Sequence, residues 1–222
     1  METILRLLTE VDSAAVIDDL MTRPDPVAAC KAIHQAMRET YWKRKDLAAT
    51  VTLGRIGIQF ALAAGGQHGE ALRGAAKAMC YDLASFTWPG WDEKGIAITA
   101  SDLAVGLDAG RANLRLAREL NKGNLPLSRA CWMLAGQYLA RRDYALAREH
   151  FGRGAACAVA AGSKADELLG LGFAALTDLV SSSGDSEAQR RVEEIKGQLK
   201  SEKDGEMFIK QIETAGMVFG AH

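Results

Sequence analysis

Only four prolines, Pro24, Pro26, Pro89 and Pro126, interrupt a chain of 222 residues, and their scarcity narrows the fold more than any other feature. Proline removes a backbone donor and clashes with the preceding turn, so long proline-free stretches rich in Ala, Leu, Arg and Glu are free to run as helix. An all-α protein is expected. The pattern predicts a leading helix over 3–21, a break at Arg23-Pro24-Asp25-Pro26, and helices over 27–43, 46–64, 69–85, 100–121, 127–141, 144–161, 164–181, 186–200 and 205–218. The one long connection runs from Phe86 to Ala100. Read as domains, this gives a leading helix at 1–22, a helical-repeat domain at 27–200 with related halves near 27–97 and 124–183, and a C-terminal capping helix at 205–222.

An internal repeat organises the middle of the chain. Laying Tyr41 on Tyr138, a displacement of 97, brings Arg44 onto Arg141 and Asp46 onto Asp143. In the same register Ala48 meets Ala145, Gly57 meets Gly154, Ala61, Ala63, Ala64 and Gly65 meet Ala158, Ala160, Ala161 and Gly162, and Glu70 meets Glu167. Each copy reads as helix, basic turn ending in Asp, second helix, glycine stop and third helix, that is, two packed αα-hairpins per half. Alanine-rich helices also match one another by composition alone, so duplication and low complexity both stay open as readings.

Within the second copy, Leu134, Ala135, Tyr138, Tyr144, Ala147, Phe151 and Gly154 fall at spacings that resemble a tetratricopeptide repeat over Ser128 to Ala161. Small residues at Ala135 and Ala147 allow paired helices to approach, and the rings fill the space around that contact. Three features depart from the family pattern: Arg142 stands where its turn prefers glycine, no proline closes the unit, and the segment from Phe86 to Ala100 breaks the period. The resemblance implies a right-handed stack of roughly four αα-hairpins. It also implies a concave groove lined by the first helix of each hairpin, where some chaperone-binding members hold a peptide carboxylate with Lys and Asn. The corresponding positions here are Arg129, Trp132, Gly136, Leu139 and Ala140, which do not make such a clamp.

Trp132, Gly136 and Leu139 recur at i, i+4, i+7 on a face separate from that of Leu134, Ala135 and Tyr138, so this helix is apolar on two sides. The displaced equivalents are Gln35, Glu39 and Trp42. Either neighbouring helices bury the second side or a partner does. The long connection holds Trp88 and Trp91 around Pro89 and Gly90, which act either as a binding surface or as pins fixing the loop to the helices. A terminal stripe of Phe208, Ile212, Ala215 and Phe219 needs a receptor, either the end of its own stack or a second subunit. Arg111, Arg115 and Arg118 share a helix face, with Asp108 and Glu119 placed to neutralise them.

Chemistry is sparsely signalled. Twenty-seven basic against 28 acidic residues leave no whole-molecule field for nucleic acid or an anionic membrane, and neither is expected as a partner. No apolar run approaches the ~20 residues of a membrane span, and the start lacks the pattern of an export signal. A cytoplasmic location is expected. Cys30, Cys80, Cys131 and Cys157 form no CxxC pair, and His34, His68, His150 and His222 sit in no recognisable catalytic motif. Cys30 and His34 share a face at i, i+4 but no further metal ligands are identifiable, so neither metal nor cofactor is expected. Gly54xxGly57, Gly106xxxGly110 and Gly170xGly172 read as close helix crossings. The expected function is a non-enzymatic module that binds a protein or peptide through Trp88, Trp91, Arg129, Trp132, Leu139, Gln35, Glu39 and Trp42. A structural homo-oligomer and a small-molecule-binding helical protein are the alternatives.

Overall fold

The computed structural model describes residues 2–64, 69–182 and 185–220. Gly65, His68 and His222 lie outside them. The described residues form eleven α-helices: α1 (Glu2–Glu10), α2 (Ser13–Thr22), α3 (Pro26–Glu39), α4 (Leu47–Ala63), α5 (Gly69–Phe86), α6 (Ala100–Glu119), α7 (Asn124–Ala140), α8 (Tyr144–Ala160), α9 (Lys164–Ser181), α10 (Ser186–Leu199) and α11 (Gly205–Phe219). A π-helical turn at Thr40–Arg44 extends α3, and a 3-10 turn at Pro89–Trp91 lies between α5 and α6. None of the helices described is long and apolar enough to cross a membrane.

Capping sets many of these boundaries. Asp25, Asp46 and Asp185 each accept hydrogen bonds from first-turn backbone amides, and Thr99 and Asp102 form a reciprocal capping box at the start of α6. The same chemistry splits the expected leading helix in two. Asp12 takes an extended backbone and accepts from the amide of Ala15 at 2.8 Å, ending one helix and starting the next. Helix α7 begins three residues before the expected 127 because Pro126 sits in its first turn, where the missing N–H has no partner to lose.

The chain divides into two compact units. The first comprises residues up to Thr87 together with Gly95–Leu120. Consecutive helices α3, α4, α5 and α6 pack in sequence. Leu20, Ile33, Met37, Leu53, Leu72 and Met79 form the fully buried centre of its core. Helix α4 fits between α3 and α5 because of its two glycines. A Cβ on Gly54 would come within 2.9 Å of Met37 Sδ, and one on Gly57 within 2.6 Å of Met79 Sδ.

The second unit comprises Trp88–Lys94 and the residues from Asn121 onward, so the units do not follow the 27–97 and 124–183 halves. Helices α7 to α10 again pack in chain order, and α11 lies against α9, α10 and the 3-10 turn. Gly154 and Gly170 mark close crossings, since a Cβ on either would meet a facing backbone carbonyl at 3.1 Å.

Helices α4 and α8 are both 17 residues long and are offset by 97 at each end (144 − 47 and 160 − 63). The matched turn residues Lys45 and Arg142 both take a left-handed conformation, at φ of 54° and 62°. At Arg142 this is the conformation that favours glycine.

Candidate functional site

In the second unit the second apolar side of α7 is covered by the unit's own chain. The Trp88 indole donates through Nε1 to the carbonyl of Gly136 at 2.8 Å. Its ring lies edge-on to Trp91 at 4.7 Å and to Trp132 at 5.5 Å, and 6.1 Å from Phe219 of α11. Trp132 in turn meets Phe173 edge-on at 5.0 Å. Two glycines make room for the Trp88 ring. A Cβ on Gly136 would stand 3.2 Å from it, and a Cβ on Gly90 would overlap it at 2.3 Å. Pro89 opens the 3-10 turn, and Asp92, left-handed at φ 49°, closes it.

These contacts correct part of the expected partner surface. Trp88, Trp132 and Leu139 are only 1%, 6% and 1% exposed, so they are core residues with no surface for a partner. The rings pin the segment, and Trp91 is half-buried beside them. The cation of the expected groove is also engaged, since Arg129 Nε bonds Asp166 Oδ1 at 3.0 Å while Ser163 holds the other carboxylate oxygen. The terminal stripe finds its receptor in the same unit, with Phe208, Ile212 and Ala215 buried. The glycine at position 136 in an apolar helix and the glycine between two tryptophans were the sequence signals of this arrangement.

The equivalent positions in the first unit are arranged differently. Gln35 is exposed on α3, and its amide donates to Glu39 Oε1 at 3.3 Å. Lys43 Nζ donates to the same oxygen at 3.0 Å, and this bond holds the Glu39 carboxyl below the usual carboxylate range. The π-helical turn holds two adjacent rings in one aromatic cluster with different exposure. Tyr41 is buried and stacks on Phe86 with centroids 4.0 Å apart, whereas Trp42 is 51% exposed. Trp42 stands edge-on to Tyr41 at 4.9 Å and to Phe86 at 5.9 Å, and Lys45 Nζ lies 5.4 Å from its ring. The result is a solvent-facing indole on a rigid aromatic base.

Among several clusters of titratable groups, one couples α3 to α5. His34 Nε2 lies 2.8 Å from Asp82 Oδ2, a carboxylate 48 positions away, and Arg38 Nε is 3.6 Å from the same oxygen. Cys30, one turn before His34 on the same helix, is fully buried, and burial pushes its thiol up to about 11. Among the described residues no group of three or more metal-ligating side chains converges. On α6, Arg111 pairs with Asp108 at 3.7 Å and Arg115 with Glu119 at 3.8 Å, while Arg73 of α5 also reaches Glu119. Comparison of the chain with protein-family models, with curated proteins and with solved structures gives no match.

Proposed function

We propose that the chain is a cytoplasmic, non-enzymatic adaptor or scaffold built of αα-hairpins stacked in a right-handed sense, which engages a protein or peptide partner through the face carrying Gln35, Glu39 and Trp42. The observation that supports this reading is the exposure of Trp42 on the fixed Tyr41–Phe86 base. A preorganised aromatic ring buries a large area at little entropic cost, which is the physical basis of binding hot spots. In the second unit the equivalent face is filled by the chain's own Trp88 segment. That segment illustrates the occupant such a face accepts: a short turn presenting an aromatic ring. Beside Trp42 the Glu39–Lys43 pair is balanced, but exposed Arg44 and the Lys45 ammonium 5.4 Å from the ring leave the local surface basic, so a partner with an acidic group beside its apolar side chain is favoured.

The test uses the full chain and its Trp42→Ala variant as baits in lysate of the native host. A protein retained by the parent and weakened about thirtyfold by the variant, on the ~2 kcal/mol scale of a hot-spot Trp, supports the reading if both melt alike. Equal recovery by both baits rejects it. A second reading, a homo-oligomer joined through apolar helix faces, is favoured by the exposed Ile17 and Met21 of α2. They border a small apolar hollow with Ile56, Phe60 and Ala63. The solution mass of the parent and of Met21→Glu tests that assignment.

A further inference from the structure

Helices α4, α5 and α6 of the first unit pack in order, with α5 against both neighbours. Ser101, Ala104, Val105, Asp108, Ala109 and Ala112 of α6 recur at i, i+3, i+4, i+7, i+8 and i+11, and together they line one wall of a groove. Four of these six residues are Ser or Ala. Larger side chains would close the gap; small ones leave a groove of about 340 Å³. Cys80 and Leu83 of α5 contribute to its lining, and the other wall is Arg55, Ile58 and Gln59 of α4. Burial pushes the Cys80 thiol up to about 12, so the sulfur in the lining is a neutral thiol.

Charge at the rim is asymmetric. Asp108 is already met by Arg111 at 3.7 Å. Arg55 is exposed and has no carboxylate in ion-pair range among the described residues. The volume also selects the occupant. It lies near the lower end of the range of small-ligand clefts, about 300–1,000 Å³.

We infer that this groove binds an apolar monocarboxylate, its hydrocarbon body on Ile58, Leu83, Val105 and Ala109 and its carboxylate against Arg55. A guanidinium matches a carboxylate in a two-point, charge-assisted hydrogen bond, and the aliphatic lining supplies the rest of the affinity. The site is independent of the Trp42 face.

Decanoate, kept below its micellar range, is the probe, with decanol and decylamine as chain-matched controls. Calorimetry on the full chain should give decanoate an affinity at least about tenfold above that of either control, in line with a charge-assisted hydrogen bond. Carbon-13 methyl spectra should shift at Ile58, Leu83 and Val105. Arg55→Gln, at an exposed position, should lower decanoate binding to the level of decanol and leave decanol unchanged. Trp42→Ala should leave decanoate binding untouched, which separates this site from the adaptor reading. Absence of binding, a preference for decylamine, methyl shifts outside the groove, or equal decanoate affinity in Arg55→Gln would each overturn the assignment.

Discussion

Replacing Trp88 with Ala probes the structure most directly, because the ring joins a short connection to α7 and α11. The indole is 1% exposed and donates to the Gly136 carbonyl at 2.8 Å. Truncating a buried Trp to Ala costs about 3–5 kcal/mol, of which the hydrogen bond accounts for about 1 kcal/mol. Helicity should scarcely change, since Trp88 itself lies outside the helices. The sharper test couples this change to Gly136→Ala. In an otherwise unchanged chain, alanine gains about 1 kcal/mol of helix propensity but sets a Cβ 3.2 Å from the indole, and overpacking costs about 1–3 kcal/mol. The net effect should be destabilising by up to about 2 kcal/mol. In the Trp88→Ala background the ring is gone, so the same alanine should stabilise by about 1 kcal/mol. Urea unfolding followed by circular dichroism would measure all four proteins, with an expected coupling of about 1–3 kcal/mol. The reasoning fails if Trp88→Ala loses under about 1 kcal/mol, or if Gly136→Ala has the same effect in both backgrounds.

Truncation after Lys203 removes α11, whose Ile212 lies over Gly172 and whose Phe219 meets Trp88. The shortened chain should lose stability and show red-shifted tryptophan emission; a smaller oligomer of unchanged stability would instead place α11 at a subunit interface. Ala147→Phe inserts a ring where α8 has a fully buried alanine, and should cost about 1–3 kcal/mol or more in urea unfolding. An unchanged midpoint would show that α8 does not cross its neighbour there. Burial pushes the Cys80 thiol up to about 12 from its ordinary 9.0, so the folded state retains its proton where the unfolded chain loses it. Its contribution to stability is therefore complete below about pH 9 and is lost as pH rises towards 12. The unfolding free energy measured from pH 8 to 11 should fall more steeply for the parent than for Cys80→Ala, and parallel profiles would contradict the burial argument.

Much of the backbone was legible in the sequence because its causes are local. Scarce proline, aspartates ahead of apolar runs and glycines at crossings act over a turn or two, and the offset of 97 between α4 and α8 follows from them. The sequence also showed that α7 has two apolar sides. It did not show what covers the second. Hydrophobic attraction has no direction, so an apolar stripe records that burial is needed but not which segment supplies it. That choice depended on shape: Gly136 and Gly90 leave room for one indole, and Trp88 is the ring the chain delivers there, 48 positions from its hydrogen-bond acceptor. The pairing of His34 with Asp82 is equally remote in sequence, and Trp42 faces solvent because a π-helical turn sends Tyr41 inward. The groove beside Arg55 exists because three helices meet along a wall of small side chains, which alone would read as ordinary helix packing. Local chemistry thus determined where helices start and stop, whereas volume matching between distant segments decided which faces are closed and which remain open.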